Sequence, residues 1–190
     1  MKSAANKLPV AEWVEQPEQR GFGLLFLAIV IGETGDLSTY TNPGKVWRRM
    51  GCAPWTFDGK TLMGATWRSG KYGKLPAEQW DAFGYSPRRR SIAYLIGEGI
   101  CKQNGPDSEE MAAKKAAKGV KPNLIQGPYH LRYKEAKAKL RAEHPDEKTY
   151  PDLRCHRHGM LLATKLLLKR LWMTWNHNPP QKDGFGNGSD

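Results

Sequence analysis

Three consecutive arginines, Arg88, Arg89 and Arg90, follow Ser86-Pro87. A serine before a proline marks a helix start: the serine caps and the proline takes the first helical position. The positive end of the helix dipole disfavours cations there, so three guanidinium groups in that first turn point to an anion from outside, most simply a nucleic-acid backbone. A solvated basic turn is the plainer alternative. A second anion-seeking pattern is Arg20-Gly21-Phe22-Gly23, directly before the apolar run Leu24 to Ile31. Gly21 and Gly23 tolerate a tight turn and the close approach of a partner's backbone, and the free N–H groups of the helix that follows suit a phosphate oxygen. The alternative is a buried helix after an ordinary turn. Arg48, Arg49, Lys60, Arg68 and Lys71 add further backbone contacts, which position a protein without reading sequence. Trp55 and Trp67 are the candidates to stack on bases.

Chemistry beyond binding is thinner. Ser69 stands beside Arg68 and near Lys71. It is the candidate nucleophile, with cations to steady a phosphoryl charge but no evident base. Glu33, Asp36, Asp58 and Glu98 are the carboxylates available to a metal pair, yet nothing in their spacing requires one. Glu33 and Asp36 read more simply as cap or turn residues. Cys155-His156-Arg157-His158 resembles a ligand cluster only at a glance, because helical neighbours point in different directions and no second ligand pair is near. No metal or other cofactor is expected in this chain.

The chain has 190 residues and a formal net charge of +11, with seven Trp and seven Tyr. That length suits one domain with an appendage, and the charge speaks of partners rather than of fold. Nucleic acid leads. Cys52, Cys101 and Cys155 are odd in number and far apart, so no disulfide framework is implied. The N-terminus lacks a signal-peptide pattern and the longest apolar run is too short to span a bilayer. A cytoplasmic, nucleoid-associated protein without membrane partners is expected.

The elements that must position these residues follow from local signals. Val10 to Val14 forms a short first helix with Pro9 in its first turn, then come the glycine turn and an apolar helix stopped at Gly35. Asn42-Pro43 starts a helix through Met50. Residues 51–75 form a basic, aromatic insert in which Asp58-Gly59 turns a small hairpin between Trp55-Thr56-Phe57 and Thr61-Leu62-Met63. Pro76 to Phe83 is a short helix. Ser86-Pro87 starts a helix reaching Gln103, with Ile92, Leu95, Ile96 and Ile100 as its stripe. Residues 105–127 read as a linker with a marginal helix from Ser108 to Lys118. Tyr129 to Glu143 is a basic helix with a thin stripe of Leu131, Ala136, Ala138 and Leu140. Asp152 to Trp175 is a long core helix with Leu153, Met160, Leu161, Thr164, Leu167, Leu168, Leu171 and Trp175 inward. Residues 177–190 form a polar tail. The expected fold is mainly α: a helix-hairpin-helix core over residues 1–104, a small β-hairpin or irregular insert, and residues 128–176 completing the domain.

The order of these pieces resembles a known family. Gly21-Phe22-Gly23, Ala28, Gly32-Glu33-Thr34-Gly35-Asp36-Leu37, the Asn42-Pro43 step and Trp47-Arg48-Arg49-Met50-Gly51 are similar to the C-terminal, serine-bearing helix-hairpin-helix domain of bridge-RNA-guided insertion-sequence transposases. Gly84-Tyr85-Ser86-Pro87 with the arginines, Ile96-Gly97-Glu98 and Lys169-Arg170-Leu171-Trp172 extend the likeness over residues 15–176. The resemblance implies a DNA partner, a structured guide RNA, and a resolvase-like domain bearing metal-binding carboxylates that this chain does not contain. A separate catalytic subunit or a homo-oligomer would then complete it. The family's nucleophilic serine precedes a Gly-Lys; here Asp58 precedes Gly59-Lys60, which leaves Ser69 as the nearest serine with basic neighbours. The expected function is a transposase-like DNA-binding domain without autonomous catalysis. The strand-transferring half of a recombinase and a basic helical interaction protein are the alternatives.

Overall fold

A computed structural model describes residues 5–57, 60–62, 86–124, 126–148 and 150–177, without the side chains of 55–57 and 60–62. Seven α-helices lie among the described residues: α1 (Ala11–Glu15), α2 (Leu24–Thr34), α3 (Pro43–Arg49), α4 (Pro87–Gln103), α5 (Glu109–Ala117), α6 (Pro128–Glu143) and α7 (Asp152–His177). The mainly helical class expected from the sequence is the one observed. Strands β1 (Trp55–Phe57) and β2 (Lys60–Leu62) pair antiparallel, with Thr56 opposite Thr61. The second strand therefore begins one residue earlier than the alternation of side chains implied. The expected helix at 76–83 and the tail from 178 lie outside the described residues. Among the described residues no helix is long and apolar enough to cross a membrane.

Side-chain caps fix three helix starts. Asn42 Oδ1 accepts from Lys45 N–H at 3.2 Å, Ser86 Oγ from Arg89 N–H at 3.4 Å and Ser108 Oγ from Met111 N–H at 3.3 Å. Each satisfies a donor the first helical turn leaves orphaned. The first helix starts after Val10, so Pro9 sits before its cap and not in its first turn.

α7 is the spine. Its buried face runs from Cys155 through Gly159, Met160, Ala163, Thr164, Leu167, Leu168 and Leu171 to Trp175. α6, α4 and α3 pack around it. α2 turns Leu27, Val30, Ile31 and Thr34 inward at helical spacing. Fully burying each such leucine or isoleucine is worth about 1.5–3 kcal/mol. α4 crosses α7 at Gly97, where a Cβ would meet Thr164 Oγ1 at 2.6 Å, so only glycine lets the two backbones come this close.

Several expected core positions face water instead. Leu95 is 54% exposed, and Leu131 and Leu153 are also exposed. On α6 the inward residues are Tyr129 and Ala136, with Tyr133 packed partly against the core. Tyrosine bodies fill the positions that a search for aliphatic residues passes over, and each hydroxyl finds a partner. Tyr129 donates to Gln19 Oε1, and Tyr133 OH lies 2.7 Å from His156 Nδ1.

The segment 105–127, read as a linker, is drawn together at its base. Gly127 N–H donates to Asn104 O at 2.7 Å, Asn123 Nδ2 to Gly105 O at 2.6 Å, and Asp107 takes Lys115 Nζ at 2.7 Å and the Asn123 N–H. Asn104, itself buried, is the knot. Its Nδ2 donates to Glu18 O at 2.8 Å, and its Oδ1 accepts from Tyr129 N–H at 3.1 Å. One amide thus joins the turn after α1, the end of α4 and the start of α6.

Asn104→Ala leaves a buried donor and acceptor unmatched and should destabilise the fold by about 2–4 kcal/mol, measured by denaturant unfolding. Burial holds the Tyr129 phenol up to about 12 against its usual 10.0, and the Cys52 and Cys101 thiols at about 11 and about 12 against 9.0. The folded state therefore keeps protons that the unfolded chain releases. Stability from these groups is complete below pH 9 and lost as pH rises through 11–12. Thermal midpoints should fall along that alkaline limb, and less steeply in Tyr129→Phe.

Candidate nucleic-acid interface

The glycine turn is built from both sides. After α1 the chain makes a single 3-10 turn, Pro17–Gln19. Phe22 N–H then donates to Gln19 O at 2.8 Å. Phe22 is fully buried, edge-on to Trp13 and stacked on Phe26, with both ring centroids 6.4 Å away. That anchor aims the exposed flanks, Arg20 and Gly23, outward. Gly23 is the N-cap of α2 and supplies no side-chain cap, and it borders an open cleft of about 320 Å³. Arg20, Gly21, Gly23 and Gln103 are among its lining residues.

The two glycines do different work. Gly21 has φ +91°, and a Cβ there would lie 2.5 Å from Gly99 O of α4. The backbone that comes close to Gly21 is the chain's own. Gly23 has nothing within 4 Å of such a Cβ, so it alone stands open to a ligand. Gly97-Glu98-Gly99 in the middle of α4 is the sequence signal that could have announced this internal approach.

No protein family, curated protein or solved structure matches the chain. The site is read from its own geometry.

The opposite end of α2 carries the second cationic group. Glu33, in its last turn, collects guanidinium groups from two other helices. Arg88 Nε lies 3.0 Å from Glu33 Oε1 and Arg89 Nε 3.2 Å from Oε2, while Arg49 Nε donates to the Glu33 carbonyl at 3.2 Å. Arg90 Nη1 donates to Gly51 O at 2.5 Å, which ties the start of α4 to the chain just after α3. An internal carboxylate thus already offsets the unfavourable dipole at this arginine-rich helix start. The side chains divide sharply. Arg88 is 80% exposed, Arg89 19% and Glu33 15%.

Arg48 is exposed on α3. The backbone of Lys60 and Trp55 lies in the small hairpin, opposite Phe57 and Leu62. Ser69, Arg68, Lys71 and Trp67 fall outside the described residues, as does Asp58. Cys52 is buried close to the positive charges of Arg90 and Lys165, yet burial outweighs them and pushes its thiol up to about 11, so it stays protonated and unreactive at neutral pH. Lys165, half-buried over the Trp47 ring, is lowered mainly by burial. His156 is engaged by Tyr133 and Cys155 is buried on the core side of α7, so the Cys-His-Arg-His run does not converge. Among the described residues no group of three or more His, Cys, Asp or Glu could hold a metal ion.

Gly21→Ala combines a positive φ with a backbone clash and should destabilise the protein by about 2–4 kcal/mol. Gly23→Ala should change stability by about 0.5 kcal/mol at most. Unfolding curves of the two variants check this separation, and equal losses would sink it.

Proposed function

We propose that this chain is a DNA-binding, transposase-like domain acting in transposition or recombination, with structured RNA as a second ligand, and that it works beside a partner carrying the catalytic carboxylates. The observation that carries this reading is the pair of cationic ends on α2. Arg20 and the uncapped first turn mark one end, and Arg49, Arg88 and Arg89 mark the other. An eleven-residue helix is about 16 Å long, which spans about four to five base pairs at roughly 3.4 Å each. The net charge of +11 supports long-range attraction to a polyanion. The order of motifs from Gly21 to Gly51 and from Ser86 to Glu98 adds the likeness to transposases.

The test is binding of the purified chain to labelled duplex DNA, branched DNA and structured RNA over a salt series, with the same samples run on a denaturing gel. Binding that weakens steeply with salt and leaves no covalent adduct is expected. An adduct lost in Ser69→Ala would overturn the non-catalytic part. No binding even at low salt would sink the reading and favour a basic interaction protein.

A further inference from the structure

Resting on that reading, we infer that Glu33 is a positioning residue that holds Arg88 and Arg89 as a clamp for a backbone phosphodiester. Three guanidinium groups, from the end of α3 and the start of α4, converge on this one residue of α2. Each is engaged through its Nε, and a guanidinium offers five donors in a planar fork, so among the described residues the terminal nitrogens remain for an oxyanion. Against one carboxylate the three arginines leave two surplus positive charges, of which a phosphodiester, with its single negative charge, neutralises one.

Two features separate a clamp from an internal competitor that a ligand must displace. The Glu33–Arg89 pair is largely withdrawn from water on both sides, so breaking it would strand a charge in a dry place. The Glu33 carbonyl also holds Arg49, which fixes the residue by its backbone as well as by its side chain. Glu33 therefore stays in place when a ligand arrives. Arg88, on the outer side of the same carboxylate, is the member that meets the phosphate. Arg90 keeps α4 in register through Gly51 O. The backbone phosphodiester is common to DNA and RNA, so the clamp by itself serves either.

The deciding variant is Glu33→Gln. Charge alone predicts tighter binding, because an acid is lost from a cationic protein. The clamp predicts the reverse, about five-fold weaker binding, because Arg88 and Arg89 lose their fixed orientation. Glu98→Gln is the control: the same charge change on α4, at a partly exposed residue whose ion pair among the described residues is with Lys102, with binding unchanged or slightly tighter. Arg88→Lys keeps the charge on an exposed side chain but loses the fork, so it tests the clamp even where Glu33→Gln fails to fold. It should also weaken binding about five-fold with an unaltered thermal midpoint. Duplex DNA and structured RNA are run in parallel, and a loss on one alone identifies which polymer the clamp serves. Folded Glu33→Gln binding as tightly as the unchanged protein, or Arg88→Lys indistinguishable from it, would overturn the clamp while leaving the binding domain intact. A chain that binds no nucleic acid overturns both.

Discussion

Three indole N–H groups fasten the final helix to the front of the chain, and the rest of the structure depends on them. Trp47 donates to Lys165 O at 2.9 Å, Trp172 to Tyr40 O at 2.9 Å and Trp175 to Asp36 Oδ1 at 2.8 Å. Each joins residues more than a hundred positions apart. A withdrawn donor left unmatched costs about 1–3 kcal/mol, so these bonds fix register as much as they stabilise. α3 has no opposite wall until α7 is in place, and its Arg49 reaches Glu33 at the end of α2. The non-local character of these ties also argues for slow assembly, because loop closure precedes the reward. Asp36 bears the residual tension. One of its oxygens takes both Ser38 N–H and the Trp175 indole, and the other is buried without a partner.

A strongly cationic chain must fold against its own charge repulsion, and the arrangement at Glu33 is one place where this one offsets it. Helix ends supply the counter-charge. The last carbonyls of α2 carry the negative end of its dipole, which suits Arg49 at the Glu33 carbonyl. The Glu33 carboxylate then offsets arginines that sit at the wrong end of α4. Asp152 gathers two cations of α6, Lys137 Nζ at 2.8 Å and Arg141 Nη2 at 3.5 Å, and Lys137 holds its carboxyl below the usual carboxylate range. Such pairs contribute little stability in themselves. Their effect is to hold like charges in fixed places rather than let repulsion scatter them.

What was legible in the sequence is what local chemistry decides. Asn42-Pro43, Ser86-Pro87 and Ser108 announced helix starts because a cap and its helix are a few residues apart. Gly35 announced an end for the same reason. The position of Asp58-Gly59 announced a hairpin, although the pairing register depended on the partner strand. What failed was whatever a distant segment decides. Leu95, Leu131 and Leu153 carry the right periodicity for a core and face water, because no neighbour covers that side among the described residues. Tyr129 was passed over as a core residue because its value lies in a Gln19 partner 110 positions away. The internal carboxylate that pairs with Arg88 and Arg89 is not legible in the sequence, because Glu33 is 56 positions from Arg89.

The same physics explains why neither the glycine pair nor the arginine run acts as a unit. Consecutive helical residues are separated by about 100° around the axis, so a run of one residue type necessarily faces several environments. Arg88 faces water, Arg89 faces Glu33 and Arg90 faces Gly51 O. In the turn, Gly21 faces Gly99 while Gly23 faces the cleft. In each motif the inward members hold the chain in place and one member is turned outward. A contact group fixed in this way loses little further freedom when it binds, which lowers the entropic cost of association. A motif that looks like a set of equivalent ligands is thus better divided into a support and a contact, and the division follows from helical geometry before any ligand is named.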